Sequence, residues 1–338
     1  MKRVNLIAVA LAAATVTIAG AQPANDGASA MLMSAITATS TLSYTGTVEV
    51  FRGGKSSETT VYHVEHRAPN LTRRSYTQPA DLSGDAVLVE RGLIYSVDSE
   101  RHRVVERRSD PAEDTTALDA DYALLRENYR IVLEGDEAIA GRRTFGIGLV
   151  NKYTDRSTML VRIDAVTKLI LEKDEFAADG TLVDRMRFVV VRYAAAPESD
   201  FSLPPGFPVV RGDSLEGTPE SPNRAVESAG FAVREPHFLP GGFAPVEGDV
   251  VKFRGIRTVH LLYSDGIRNV SLFENAAPST LETSGVTPEH VHVDGREAEY
   301  AQQETTVLLS WDDGPLHYTL VGEAGLVDLE RIASSIDK

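Results

Sequence analysis

Few side chains in this sequence combine a reactive type with a useful spacing, and the histidines are the first to consider. His63 and His66 flank Glu65, while His290 and His292 stand two apart, a spacing that puts both on one face of a strand. Either pair could begin a zinc site, but no H-E-x-x-H or comparable spacing supplies a third ligand. Solvated histidines are the plainer reading. The acidic stretch over 110–121 lacks the D-x-D-x-D-G order of a calcium loop and reads as solubilising charge. Gly146-Ile147-Gly148 is a lone G-x-G within a strand-like stretch. A phosphate cradle needs its glycines at a helix N-terminus, so these two read as packing glycines.

The templates for nucleotide binding and for an activated serine are missing: there is no G-x-x-x-x-G-K-[ST], no G-x-G-x-x-G and no G-x-S-x-G. Zero cysteine excludes thiolate nucleophiles, disulfides, Cys-ligated zinc and iron–sulfur clusters together. No acid, base and nucleophile can be grouped from any motif, so the expectation is a non-enzymatic protein without a cofactor. The 34 Lys and Arg against 49 Asp and Glu give a net charge of −15, which disfavours a nucleic-acid partner.

The elements that carry these residues follow from length and pattern. At 338 residues the chain is long enough for two cores. Lys2 and Arg3 precede an apolar run ending at Ala19-Gly20-Ala21, the pattern of a cleavable export signal over 1–21. A short amphipathic helix is expected over 28–36. From Tyr44 the apolar period becomes two, predicting antiparallel strands over 44–50, 60–66, 71–76, 86–91, 93–97 and 103–107. A helix over 116–128 interrupts them. Strands then resume at 129–134, 143–152, 157–164, 169–176 and 182–193. Six prolines between Pro197 and Pro222 mark a linker. A smaller block over 223–338 carries six further strand patterns and a closing helix over 326–336.

At this point particular stretches look familiar. Ile139-Ala140-Gly141-Arg142, the run from Arg162 to Leu169, and Asp179-Gly180-Thr181-Leu182 ahead of Phe188 resemble the MucB/RseB family of periplasmic sigma-E regulators. Phe238-Leu239-Pro240-Gly241-Gly242-Phe243, Leu262-Tyr263-Ser264-Asp265-Gly266 and the closing helix extend the likeness to the second block. The resemblance implies an α+β, mostly β architecture: a LolA-like half-barrel of curved antiparallel sheet with covering helices over 28–196, then a smaller α+β domain. It also implies a periplasmic protein that binds the periplasmic region of a membrane-bound anti-sigma factor and limits its proteolysis until envelope stress. Where the family tends to carry a longer, more apolar insertion, residues 101–121 here are short and heavily charged.

A curved sheet with apolar residues on both faces must cover its concave side with helices or leave room for an acyl chain. Tyr44, Val48 and Val50 with Met186, Phe188 and Val190 are the candidate lining, and the helices over 28–36 and 116–128 the candidate covers. A packed core and a lipid-sized cavity both satisfy this pattern. The alternative function is a LolA-type lipoprotein or lipid carrier, against which stands the extra domain after Pro222.

Overall fold

Alternation of apolar and polar residues builds two antiparallel sheets, because a strand that buries one face needs every second side chain apolar. The computed structural model describes residues 22–53, 57–90, 92–108, 122–177, 179–211, 220–253, 256–276, 288–303, 306–322 and 324–336. The expected export signal at 1–21 and the first part of the expected second helix, 116–121, lie outside the described residues.

The chain enters through α1 (Gln22–Ile36) and a meander of β1 (Tyr44–Arg52), β2 (Glu58–Arg67), β3 (Leu71–Gln78), β4 (Ala86–Glu90), β5 (Leu93–Asp98) and β6 (Arg103–Arg108). After α2 (Tyr122–Asn128) a second meander follows: β7 (Tyr129–Ile139), β8 (Arg142–Asn151), β9 (Arg156–Asp164), β10 (Ile170–Phe176) and β11 (Leu182–Arg192). β1 pairs with β11, so both meanders fuse into one large sheet. Its hollow side buries Tyr62, Val64, Ile131, Ile147, Leu149, Val161 and Ile163 against Ala28, Leu32 and Ala35 of α1 and Leu125 of α2. The expected helical covers are therefore in place, α1 starting earlier than predicted.

One face assignment needs correction. Val190 was expected to share a face with Met186 and Phe188. In the β1–β11 register Val50 faces Met186 and Val48 faces Phe188, but Thr47 faces Val190, with a bulge between Thr47 and Val48. The extra residue, Val189, inverts the alternation. Val190 is consequently 42% exposed. Val191 takes the inward position beside the core.

The first described part of the proline-rich stretch, 197–211, is held against the large sheet. Residues 198–201 form a 3₁₀ turn that buries Phe201, and Leu203 and Phe207 pack against Tyr95 and Val104 on the outer side of the sheet. β12 (Val209–Arg211) then adds a short parallel strand to β6. At the far end Glu220 exchanges backbone hydrogen bonds with Gly248 at 2.7 and 3.0 Å. Three-residue parallel pairing carries almost no periodic signal, which is why composition alone reads as linker.

The second domain opens with α3 (Pro222–Ser228), whose proline sits in its first turn, where a missing N–H costs nothing. Its seven-stranded sheet comprises β13 (Ala244–Phe253), β14 (Ile256–Ser264), β15 (Asn269–Asn275), β16 (Glu289–Val293), β17 (Arg296–Gln303), β18 (Thr306–Asp313) and β19 (Leu316–Gly322) in the order β13-β14-β15-β19-β18-β17-β16. α4 (Leu326–Ser335) lays Leu329, Ile332 and Ala333 onto one face, against Leu261, Leu272, Leu309 and Leu320.

Candidate functional site

Where the two domains meet, polar side chains from both are buried together, Asp265 and Asn128 among them. α2 ends at Asn128 and β7 begins at Tyr129, so these neighbours leave the first domain at its rim. From the second domain come the turn at Gly241 and Gly242 and the tight β14–β15 connection, Asp265 to Arg268. That connection closes locally. Asp265 Oδ1 accepts the backbone N–H groups of Ile267 and Arg268 at 3.0 and 2.8 Å, an Asx-type turn.

The other carboxylate oxygen of Asp265 works across the joint. Oδ2 accepts the phenol of Tyr129 at 2.7 Å, along with Arg268 Nε at 2.9 Å and Nη2 at 2.7 Å. Asp265 is fully buried, a place where an ionised carboxylate is tolerable only when paired and fully hydrogen-bonded. Asn128 completes the joint: its Nδ2 donates to the carbonyls of Gly242 at 2.8 Å and Asp265 at 2.9 Å, and its Oδ1 accepts from Tyr153 at 3.2 Å. Burial, then the nearby Asp265 carboxylate, push the Tyr129 phenol well up, so it stays a proton donor. Burial opposes the charge on Arg268, yet Asp265 and Tyr129 together outweigh it and hold the guanidinium above its ordinary value.

Close backbone approach explains two glycines here. Gly266 has φ +102°, and a Cβ on it would lie 2.4 Å from the Leu125 backbone nitrogen. Gly242 has φ +97°, and a Cβ there would meet Asn128 Cγ at 2.9 Å. No side chain fits either position. Ile267 passes over and joins the core of the first domain.

Of the six candidate lining residues, Tyr44, Val48, Val50, Met186 and Phe188 come together in that same core, Tyr44 and Phe188 being edge-to-face at 5.8 Å; Val190 lies on the opposite face. The histidine pairs separate. His66 is buried, stacked on Tyr44 at 4.9 Å and donating from Nε2 to the Thr39 carbonyl at 2.9 Å, while His63 is exposed. His290 and His292 are exposed on β16. Among the described residues no three His, Asp or Glu side chains gather to hold a metal. Gly146 and Gly148 leave room for the Glu134 side chain on β7. Sequence patterning does not reveal the joint, although Gly241-Gly242 and Ser264-Asp265-Gly266 lie within the stretches that carry the family resemblance. What the arrangement does is couple two domains and present their combined surface.

Comparison with known proteins agrees with this architecture. No curated protein matches the chain. A family of unknown function, DUF4367, matches residues 234–336. Three solved structures share the fold, each covering 92% of this chain and 98% of the other: the Pseudomonas aeruginosa MucA/MucB complex at 21% identity and TM-score 0.62, MucB in complex with MucA(peri) at 21% and 0.61, and MucB alone at 19% and 0.56. The family model of the MucB/RseB N-terminal domain matches residues 27–206, more than half of the sequence, and the chain belongs to that family.

Proposed function

We propose that this chain is a periplasmic regulator that binds the periplasmic region of a membrane-bound anti-sigma factor and limits its proteolysis. The observation that carries the reading is family membership together with a fold, covering both domains, that is shared with MucB solved in complex with MucA(peri). The buried joint supports it physically. A peptide partner held over a wide surface gains when that surface is rigid beforehand, because less conformational entropy is lost on binding.

Lipid sensing belongs to the same proposal as its second part. An acyl ligand would enter the hollow of the large sheet at Tyr44, Val48, Val50, Met186 and Phe188, displacing α1, whose Ala28, Leu32 and Ala35 cover that core. Calorimetric titration of the mature chain with the recombinant periplasmic region of the anti-sigma factor tests the first part, and protease digestion of that region with and without the chain tests protection. Micromolar or tighter binding with slowed cleavage is expected. Absence of binding refutes the reading, and uptake of acylated peptide without partner binding would turn it into a carrier.

A further inference from the structure

A sheet edge exposes unpaired backbone N–H and C=O groups, and proteins usually blunt it. The two sheets have four such edges. On the large sheet one edge strand, β12, is only three residues long, and at the opposite end β7 is broken by a bulge between Glu134 and Glu137, with Glu137 drawn onto Arg162 at 3.0 Å. On the small sheet Glu220 bridges β13 at Gly248. β16 differs. Its register to β17 runs unbroken from Glu289↔Tyr300 to Val293↔Arg296, and among the described residues no strand pairs with its outer side.

The hairpin geometry says which groups are open. Asp294 and Gly295 form the two-residue turn with φ of +50° and +78°, the left-handed pair of a type I′ turn. The flanking pair Val293↔Arg296 is then the hydrogen-bonded one, and alternation makes Val291↔Ala298 and Glu289↔Tyr300 hydrogen-bonded as well. His290 and His292 therefore aim their N–H and C=O groups outward. Their side chains are exposed on the face they share with their partners in register, Glu297, also exposed, and Glu299, half-buried, while Val291 and Val293 face the core.

Charge points to the occupant. Residues 28–196 carry 22 Lys and Arg against 25 Asp and Glu, whereas residues 223–338 carry 9 against 18. The acidity of the chain is concentrated in the domain that bears the open edge. Resting on the partner reading above, we propose that β16 is the edge on which the anti-sigma region docks. An extended segment with Lys or Arg at alternate positions adds as an eighth strand, its backbone paired to His290 and His292, its cations over Glu297 and Glu299 and its intervening apolar residues beside Val291 and Val293.

Titration of the full chain with the recombinant periplasmic region decides it. His292→Pro removes an outward donor without touching the β16–β17 ladder, a position where an edge strand tolerates proline. It should weaken binding at least tenfold with an unchanged melting temperature. Glu297→Lys combined with Glu299→Lys should weaken binding comparably and flatten its salt dependence. Hydrogen exchange in the complex should slow at the His290 and His292 amides. Unaltered affinity in both variants, or protection confined to other strands, overturns the edge. No binding by the unaltered chain overturns the partner reading and the edge with it.

Discussion

Tyr129, the first residue of β7, donates its phenol proton to Asp265 of the second domain at 2.7 Å, and both residues are buried. Asp265→Asn should uncouple the domains, because it leaves the Arg268 guanidinium without its counter-charge; losing one partner of such a pair costs about 3 kcal/mol. Tyr129→Phe should cost about 1–2 kcal/mol, since one of five donors to the carboxylate is lost. Scanning calorimetry checks both. The single transition of the unaltered chain should split into two in Asp265→Asn, and a single transition at the original temperature would refute the coupling.

The inversion at the β11 bulge predicts opposite outcomes at two neighbouring positions. Phe188 is fully buried in the hollow of the large sheet and Val190 is 42% exposed. Phe188→Asp buries an unpaired charge and leaves a cavity, so it should destabilise the domain by at least about 4 kcal/mol or prevent folding. Val190→Asp should change stability by less than about 0.5 kcal/mol. Urea unfolding of the two variants checks the assignment, and equal losses would mean that the alternation runs straight through Val189.

Glu274 gives the second domain a pH dependence. Burial pushes its carboxyl up to about 7 from 4.5, although the Arg234 backbone N–H donates to Oε2 at 3.0 Å and favours the ionised form. The folded chain thus keeps a proton that the unfolded chain releases between about pH 4.5 and 7. Stability contributed by the protonated group is full below pH 4.5 and falls as pH rises through 7, by about 2–3 kcal/mol. Glu274→Gln should be free of this decline. Urea midpoints of both proteins at pH 5 and pH 8 measure it, and parallel declines in both would exclude Glu274 as the cause.

Asp164 has the opposite sign. Burial would raise its carboxyl, but Arg142, the backbone N–H groups of Thr167 and Val166, and the Tyr193 phenol overcome that and hold it at about 2. Its stabilisation is present above pH 3.8 and is lost as pH falls toward 2. Asp164→Asn should lower stability by about 2 kcal/mol at pH 7 and by much less at pH 2. Acid titration of unfolding in the two proteins gives the comparison, with a pH-independent difference as the refuting result.

How much was legible beforehand depended on the range over which each feature is encoded. Strands such as β2 and β9 follow from their own alternation, and α4 from its own stripe, so their ends shift by only a residue or two. Val190 escaped because one inserted residue changes face without changing composition. β12 escaped because three residues beside prolines carry no period, and its pairing with β6 lies about a hundred residues away in sequence. The joint escaped for a related reason. Asp265-Gly266 reads as an ordinary turn between two strands, and nothing near it says that Leu125 and Asn128 will press against that turn. Cavity lining was still harder to read, since a half-barrel and a filled core share one apolar pattern.

The anchoring of the connecting segment at Val209–Arg211 on one sheet and at Glu220 on the other sets the tether between the domains. Arg211 and Glu220 are nine residues apart, a reach of at most about 30 Å. Domains whose joint has opened thus remain in each other's presence at an effective concentration on the order of millimolar. Re-formation of the Tyr129–Asp265 contact is a unimolecular event, independent of how dilute the protein is in its compartment. A joint that opens transiently therefore closes again without dissociation, and cutting the segment between Arg211 and Glu220 would convert this into a second-order process.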